Sequence, residues 1–140
     1  MKFLQVFLLL SLIYSLSFGD EYREKKTISL AKDEQKKILV KYEDSSKLFK
    51  FSWTLYKNLG LVIHRSYDKV IAQNILYQEM RNRFFRLELR SRGANRFNPP
   101  YLLVKFKEFD YETKKAIFEL FLYDKDLEIE LVDLNNFKEV

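Results

Sequence analysis

The sequence predicts an all-β fold, a single antiparallel β-sandwich or small barrel of about eight strands preceded by a cleaved N-terminal signal helix. Apolar and polar residues alternate with a period of two through most of the chain from Ile38 onward. Such alternation is typical of strands with one buried face. Short polar turns separate the alternating runs, and antiparallel strands are the ones that such turns join.

The clearest predicted strand covers residues 49–56, with Phe49, Phe51, Trp53 and Leu55 at alternate positions. Leu55 is therefore expected on the buried face and Tyr56 on the opposite face. Turns are predicted at residues 58–60 and 67–69, because Asn, Gly and Asp favour turn conformations. The other alternating segments cover residues 38–42, 61–66, 70–77, 85–89, 102–106, 116–123 and 127–131.

Two interpretations stay open near the start of the β region. Residues 27–30 are compatible with an early strand. Asp33, Glu34, Gln35 and the neighbouring lysines instead favour a helix over residues 30–41, because their helix propensities are adequate.

The N-terminus is typical of a secretory signal. Lys2 precedes an apolar run from Phe3 to Leu16, and Ser17 and Gly19 place small residues before Asp20. The run is shorter than the ~20 residues of a membrane-spanning helix, so we expect cleavage rather than an anchor. We predict a signal peptide at residues 1–19, a charged leader at 20–26 and a single β domain at 27–140, with no transmembrane anchor after cleavage.

The composition indicates which cellular compartment and which kinds of partner to expect. The full chain carries 25 basic and 20 acidic residues, and removing Lys2 with the signal leaves 24 against 20, a net charge of +4. This excess is too small to predict a nucleic-acid partner. Cysteine is absent, so the 13 Phe, 9 Tyr and 1 Trp must stabilise the core without disulfides. A bacterial type of composition together with the export signal predicts the periplasm, with an extracellular location as the alternative.

Arginine is concentrated in one part of the chain. Apart from Arg23, every arginine lies between Arg65 and Arg96, whereas lysine is used almost everywhere else. The planar guanidinium suits carboxylates and phosphates, so this cluster predicts a basic binding patch for an anionic ligand or an acidic partner. The alternative is a solvated strand face paired with Glu79 and Glu88. The candidate patch consists of Arg81, Arg83, Arg86, Arg90, Arg92 and Arg96.

Two segments near the C-terminus carry large apolar residues at both parities, residues 102–106 and 116–123. Strands that are apolar on both sides are usually covered on both sides, either by the chain itself or by a partner. The candidate apolar interface consists of Leu103, Ile117, Phe121 and Tyr123.

Catalytic chemistry has little support in the sequence. His64 is the only histidine, and Ser66 and Asp68 share its strand face at about 6.6 Å spacing, too far apart for a triad. The acidic series Asp124, Asp126, Glu128, Glu130 and Asp133 lacks the spacing of a calcium loop. We predict no catalytic residue, no metal site and no cofactor.

Three function classes follow, in order of preference. The first is a non-catalytic interaction protein of the cell envelope, an accessory subunit of a motility or secretion assembly with a protein partner there. The second is a binding module for lipopolysaccharide or another anionic glycan or lipid, through the arginine patch. The third is a small glycan hydrolase that works through two carboxylates.

Overall fold

The structure, a computed structural model, describes residues 22–78, 83–90, 100–124 and 128–136. In these ranges the chain forms nine strands and a short 3₁₀ helix. None of the described segments is a helix long and apolar enough to cross a membrane. The strands are β1 (Glu24–Ala31), β2 (Lys36–Tyr42), β3 (Ser45–Lys57), β4 (Gly60–Tyr67), β5 (Val70–Tyr77), β6 (Phe84–Glu88), β7 (Tyr101–Asp110), β8 (Lys115–Tyr123) and β9 (Glu130–Asp133), and the 3₁₀ helix covers Leu134–Asn136.

The strands form two antiparallel sheets, so the prediction of an all-β fold is confirmed. The first sheet has the order β1-β8-β7-β6, and the second has the order β5-β4-β3-β2-β9. The two sheets pack face to face and do not close, so the barrel alternative is wrong. The helix alternative over residues 30–41 is also wrong, because β1 ends at Ala31 and β2 starts at Lys36.

The N-terminal prediction falls largely outside the described residues. The signal peptide at 1–19 lies there entirely, as do the first two residues of the charged leader at 20–26. Strand β1 begins at Glu24, so the last three residues of that leader belong to the first sheet. They pair with β8, with Lys25 opposite Phe121 and Lys26 opposite Leu120.

Aromatic side chains from both sheets fill the core. Phe49 and Phe51 of β3 stack at a centroid distance of 5.3 Å, and both contact Phe85 of β6 edge to face. Phe51 also meets Phe118 of β8 at 5.4 Å. Each ring buries a large apolar area, and edge-to-face pairs add about 0.5–1.5 kcal/mol beyond that burial. The Phe-rich composition thus supplies the stability that disulfides would otherwise provide.

Two buried hydrogen bonds tie the sheets together. Trp53 Nε1 on β3 donates to the carbonyl of Leu30 on β1 at 2.8 Å, and the Tyr67 hydroxyl on β4 donates to the carbonyl of Leu89 at 2.6 Å. Burial raises the pKa of Tyr67 well above that of an ordinary tyrosine, so its hydroxyl stays a donor. Both bonds satisfy polar groups that would be costly to bury alone.

Two β-bulges reverse the side-chain alternation. In β3 the register with β4 shifts between Trp53 and Leu55, so Leu55 is exposed and Tyr56 packs against the core. The sequence-based assignment of these two residues is therefore wrong. A second shift in β7, between Phe106 and Glu108, turns Phe109 inward. The Tyr56 and Phe109 rings, each following a bulge, stack across the two sheets at 4.3 Å.

The turns at 58–59 and 68–69 are tight hairpins, as the sequence predicts. Asn58 and Leu59 both have positive φ, and so do Asp68 and Lys69. Positive φ at both central residues is typical of the turn whose twist matches that of paired strands. Gly60 begins β4 directly after its turn, where a Cβ atom would lie 3.0 Å from the Tyr77 ring.

Candidate binding groove

A groove of about 600 Å³ lies at one side of the sandwich, where β6 of the first sheet meets β4 and β5 of the second. Its volume is in the range of small-molecule and peptide sites. We call it the edge groove, and its lining residues are Arg65, Tyr67, Asp68, Val70, Arg86, Leu87, Glu88 and Arg90. At the opposite side, a second groove of about 500 Å³ is lined by Arg23 and the acidic residues Glu24, Glu128 and Glu130. A small cavity beside Leu102 and Leu131 has about 20 Å³, room for about one water.

Three arginines from two sheets line the edge groove. Arg86 extends from β6, Arg90 follows β6, and Arg65 lies on β4. Two carboxylates, Asp68 and Glu88, accompany them. Asp68 is already paired with Lys47 at 2.8 Å, and that hydrogen bond is the main cause of the raised pKa of Lys47. The groove therefore has an excess of positive charge.

Aromatic rings hold two of the arginines in place. The guanidinium of Arg65 lies 4.6 Å from the centre of the Phe85 ring, and its Nε donates to Asn74 Oδ1 at 2.7 Å. Burial lowers the pKa of Arg65, although an arginine remains charged at every physiological pH. Arg86 lies 3.9 Å above the Tyr101 ring. Such stacking lets a guanidinium keep its charge at a partly apolar surface.

Arg90 has unused hydrogen-bonding capacity. Its Nη2 lies 3.3 Å from Glu43 Oε1, a long contact, and its Nη1 is buried without an acceptor among the described residues. Buried donors in folded proteins are normally satisfied. Arg90 therefore has one guanidinium donor that no described residue satisfies.

The structure brings together part of the predicted arginine patch. Arg86 and Arg90 line the edge groove, and Arg83 precedes β6, with its carbonyl accepting from the Phe106 amide at 2.7 Å. Arg65, which the sequence analysis noted but left out of the patch, joins them because β4 packs opposite β6. Its place in the same stretch of arginines was the available signal. The remaining members, Arg81, Arg92 and Arg96, lie outside the described residues, as does Glu79.

The four residues of the candidate apolar interface share the outer face of the first sheet. Leu103, Ile117, Phe121 and Tyr123 are all half-buried there. The chain covers part of this face itself, because Tyr22 packs on Phe121 at 5.1 Å and Lys25 lies over the same ring at 5.4 Å.

The two most exposed aliphatic residues among those described, Val70 and Ile71, lie elsewhere, on β5. Val70, Ile71 and Ile75 are exposed by 67, 83 and 49%, and Phe84 at the start of β6 by 49%. Sequence reasoning missed this surface, although the β-branched run at residues 70–77 was visible. The run looks like any strand until the structure shows that β5 is an edge strand.

His64 and Asp124 are bonded within the chain, whereas Asp126 of the acidic series lies outside the described residues. His64 is exposed, and its Nε2 lies 3.0 Å from Thr54 Oγ1. Asp124 is buried, pairs with Arg23 at 2.8 Å and accepts from the Ile129 amide. Within the described ranges, no three His, Cys, Asp or Glu residues lie close enough to hold a metal ion.

Asp133 at the end of β9 is bonded to two lysines. Lys26 of β1 and the buried Lys36 of β2 both contact its Oδ2. Burial opposes ionisation of this carboxyl, but the lysine hydrogen bonds outweigh it and keep its pKa below the usual range. Asp133, the last member of the acidic series, therefore bonds β9 to its neighbour β2 and to β1 of the first sheet.

Comparisons with family models, curated proteins and solved structures give no match to this chain. The function must therefore be argued from the geometry of the chain itself.

Proposed function

We propose that this chain is a non-catalytic binding protein of the periplasm, an accessory component of an envelope assembly, and that it holds an acidic partner protein in the edge groove. One observation carries the proposal: Arg65, Arg86 and Arg90, from two different sheets, converge on one groove. Val70, an exposed residue, supplies apolar surface beside them. Charged groups beside an apolar patch are typical of protein interfaces, in which arginine is enriched.

The export signal predicted from the sequence supports the choice of compartment. The signal-like segment at residues 1–19 precedes a chain without cysteine, which needs no redox machinery to fold outside the cytoplasm. An arginine-lined groove is also suited to the acidic surfaces of envelope components, because guanidinium binds carboxylates with two parallel hydrogen bonds.

A second candidate function is the binding of an anionic glycan or lipid headgroup, such as lipopolysaccharide. It is supported by the position of Arg86 between the edge groove and the outer face of the first sheet, where its guanidinium covers Tyr101. Tyr101 in turn stacks on Tyr123 at 4.9 Å, so cationic and aromatic groups adjoin. We do not propose the carboxylate hydrolase, because Asp68, one of the two groove carboxylates, is held by Lys47.

Crosslinking and pull-down from the osmotic-shock and envelope fractions test the proposal. Arg86→Glu/Arg90→Glu should lose the partner, with at least about tenfold weaker capture, because reversed charges repel an acidic surface. Wild-type capture should also weaken as salt is raised. Arg86→Glu alone serves as the milder variant, since Arg86 is exposed and its replacement leaves the core intact.

The matched control is Lys32→Glu/Lys57→Glu, which changes the net charge equally at exposed positions outside the groove. The control should capture the partner as the wild type does. Equal capture by the wild type, the double arginine variant and the lysine control would contradict the proposal. Loss of binding to lipopolysaccharide vesicles, with protein capture unchanged, would favour the second candidate.

A further inference from the structure

Strand β5 differs from the other edge strands of the molecule in its charge. Among the described residues, the sheets end at β1, β6, β5 and β9. Strands β1, β6 and β9 each contain at least two charged residues, whereas the eight residues of β5, Val-Ile-Ala-Gln-Asn-Ile-Leu-Tyr, contain none. In the whole chain, 32% of residues are charged. Charges, prolines and bulges are the usual means by which a free edge is kept from pairing, and β5 has none of them.

The outer face of β5 is also unusually apolar. Ile71, Gln73 and Ile75 alternate along it, and all three are exposed. On the inner face, Val70 is exposed as well, and only Leu76 is fully buried. An eight-residue edge with exposed branched side chains and unpaired backbone groups is suited to receive another strand.

We propose that β5 pairs antiparallel with β5 of a second copy of this chain, which joins the two five-stranded sheets into one of ten strands. The sequence of β5 favours itself as the partner. In an antiparallel pair centred on Gln73, Ile71 lies opposite Ile75 of the second copy, and this apolar pair occurs twice by symmetry. The central pair is Gln73 with Gln73, whose amides can bond each other.

The inner face is compatible with the same register. Val70 then lies opposite Leu76 of the second copy, and Ala72 lies opposite Asn74, so no charged group is buried. Cross-strand pairs of branched aliphatic residues stabilise sheets, whereas like charges directly opposite destabilise them. Because β5 carries no charge, two copies of it can pair without placing like charges opposite each other. This inference does not depend on the proposed function, because it rests on the edge of β5 and not on the arginines of the groove.

Introducing a charge at the two-fold axis gives a direct test. Protein purified from cells that express the full chain is studied by sedimentation over a concentration series. The wild type should form a dimer that dissociates on dilution. Gln73→Lys and Gln73→Glu should each weaken it at least about tenfold, because two like charges then face each other. An equal mixture of the two variants should restore the dimer.

The matched control is Thr27→Lys, which adds the same charge at an exposed position of β1 and should leave the dimer intact. Unchanged circular dichroism, and thermal midpoints that agree at a concentration low enough for the wild type to be monomeric, will show that the variants fold. A wild type that stays monomeric up to about 1 mM overturns the proposal. A dimer that Gln73→Lys does not weaken also overturns it, because another surface must then hold the copies together.

The absence of cysteine allows a test of the register itself. Gln73→Cys should form a disulfide-linked dimer on mild oxidation, because equivalent residues at the axis face each other within disulfide reach. Ile71→Cys should not, because equivalent residues there are four positions apart along the strands, about 13 Å. Crosslinking through Ile71→Cys and not through Gln73→Cys would overturn the proposed pairing.

Discussion

Trp53 joins the two sheets both by ring packing and by a hydrogen bond. Its ring is 4% exposed, packs edge to face on Phe109 of the first sheet, and donates its indole N–H to Leu30 of β1. A buried tryptophan usually finds such a partner, because an unpaired N–H in the core is costly. The side chain therefore contributes both packing and a bond that orients one sheet relative to the other.

Replacing Trp53 should reveal both contributions. Trp53→Phe removes the indole N–H that donates to the Leu30 carbonyl, and the smaller ring leaves a cavity in the core. We expect the free energy of unfolding to fall by about 2–3 kcal/mol, measured by denaturant titration.

The control for this prediction is Tyr56→Phe. It removes only a hydroxyl that bonds Tyr111 at an exposed site, at 3.2 Å. The pKa of Tyr56 is raised to about 12, first by burial and then by the bond to Tyr111, so the hydroxyl is neutral under the conditions of the measurement. Its removal should cost less than about 1 kcal/mol. An equal loss in both variants would mean that the indole bond contributes nothing specific.

At the scale of elements, the bulges decide which side chains enter the core. The bulge at Thr54 places Thr54 and Leu55 together on the outer side, and the ladder continues with Tyr56 opposite Leu61. Without the bulge, Tyr56 would face solvent and could not stack on Phe109. One extra residue in each of two strands thus creates the aromatic cluster at this end of the sandwich.

This arrangement predicts that β3 tolerates loss of Thr54 better than loss of Ser52. Deleting Thr54 makes the ladder regular and keeps Trp53 and Tyr56 on the inner face, so the protein should fold with a loss below about 2 kcal/mol. Deleting Ser52 also removes the extra residue, but with Phe49 and Phe51 inward it places Trp53 on the outer face. That variant should lose at least about 3 kcal/mol of stability, because the buried indole and its hydrogen bond to Leu30 are lost.

Near-ultraviolet circular dichroism and Trp53 emission distinguish the two outcomes, since both report fixed aromatic packing. Thr54 deletion should retain a native spectrum, and Ser52 deletion should show an exposed tryptophan. A Ser52 variant that keeps Trp53 buried, or an unfolded Thr54 variant, would show that the bulge does not absorb the extra residue as described.

The elements also show how far the sequence could predict this molecule. The hairpin at residues 68–69 and the alternation from Phe49 to Trp53 depend on local sequence, and both predictions are confirmed. The bulges were not, because Leu55 and Tyr56 are both large enough for a core and only cross-strand packing selects between them. Likewise, Arg86 and Arg90 share one segment and could be grouped in advance, whereas Arg65 reaches the groove only through the packing of β4 opposite β6.

The whole molecule depends on pairings between the two ends of the chain. Strand β1 pairs with β8 and β2 pairs with β9, while the turn between β1 and β2 passes from one sheet to the other. Local patterns cannot specify partners so distant in the chain, so the order of the strands in the sheets could not be predicted from the sequence. The same pairings mean that neither sheet consists of one continuous part of the chain.

Because strands from both ends of the chain pair within each sheet, the domain should unfold as one unit. Each sheet contains strands from both ends, and Trp53 and Tyr67 bond across the interface, so loss of one sheet exposes the core of the other. We expect the denaturant transitions followed by Trp53 fluorescence and by far-ultraviolet circular dichroism to coincide, with refolding in milliseconds to seconds because the contacts are distant in sequence. The comparison must be made at a protein concentration low enough for β5 to be unpaired. If β structure were lost in two steps while Trp53 reported only one, the sheets would be separate folding units, and the prediction of a single β domain at residues 27–140 would be wrong.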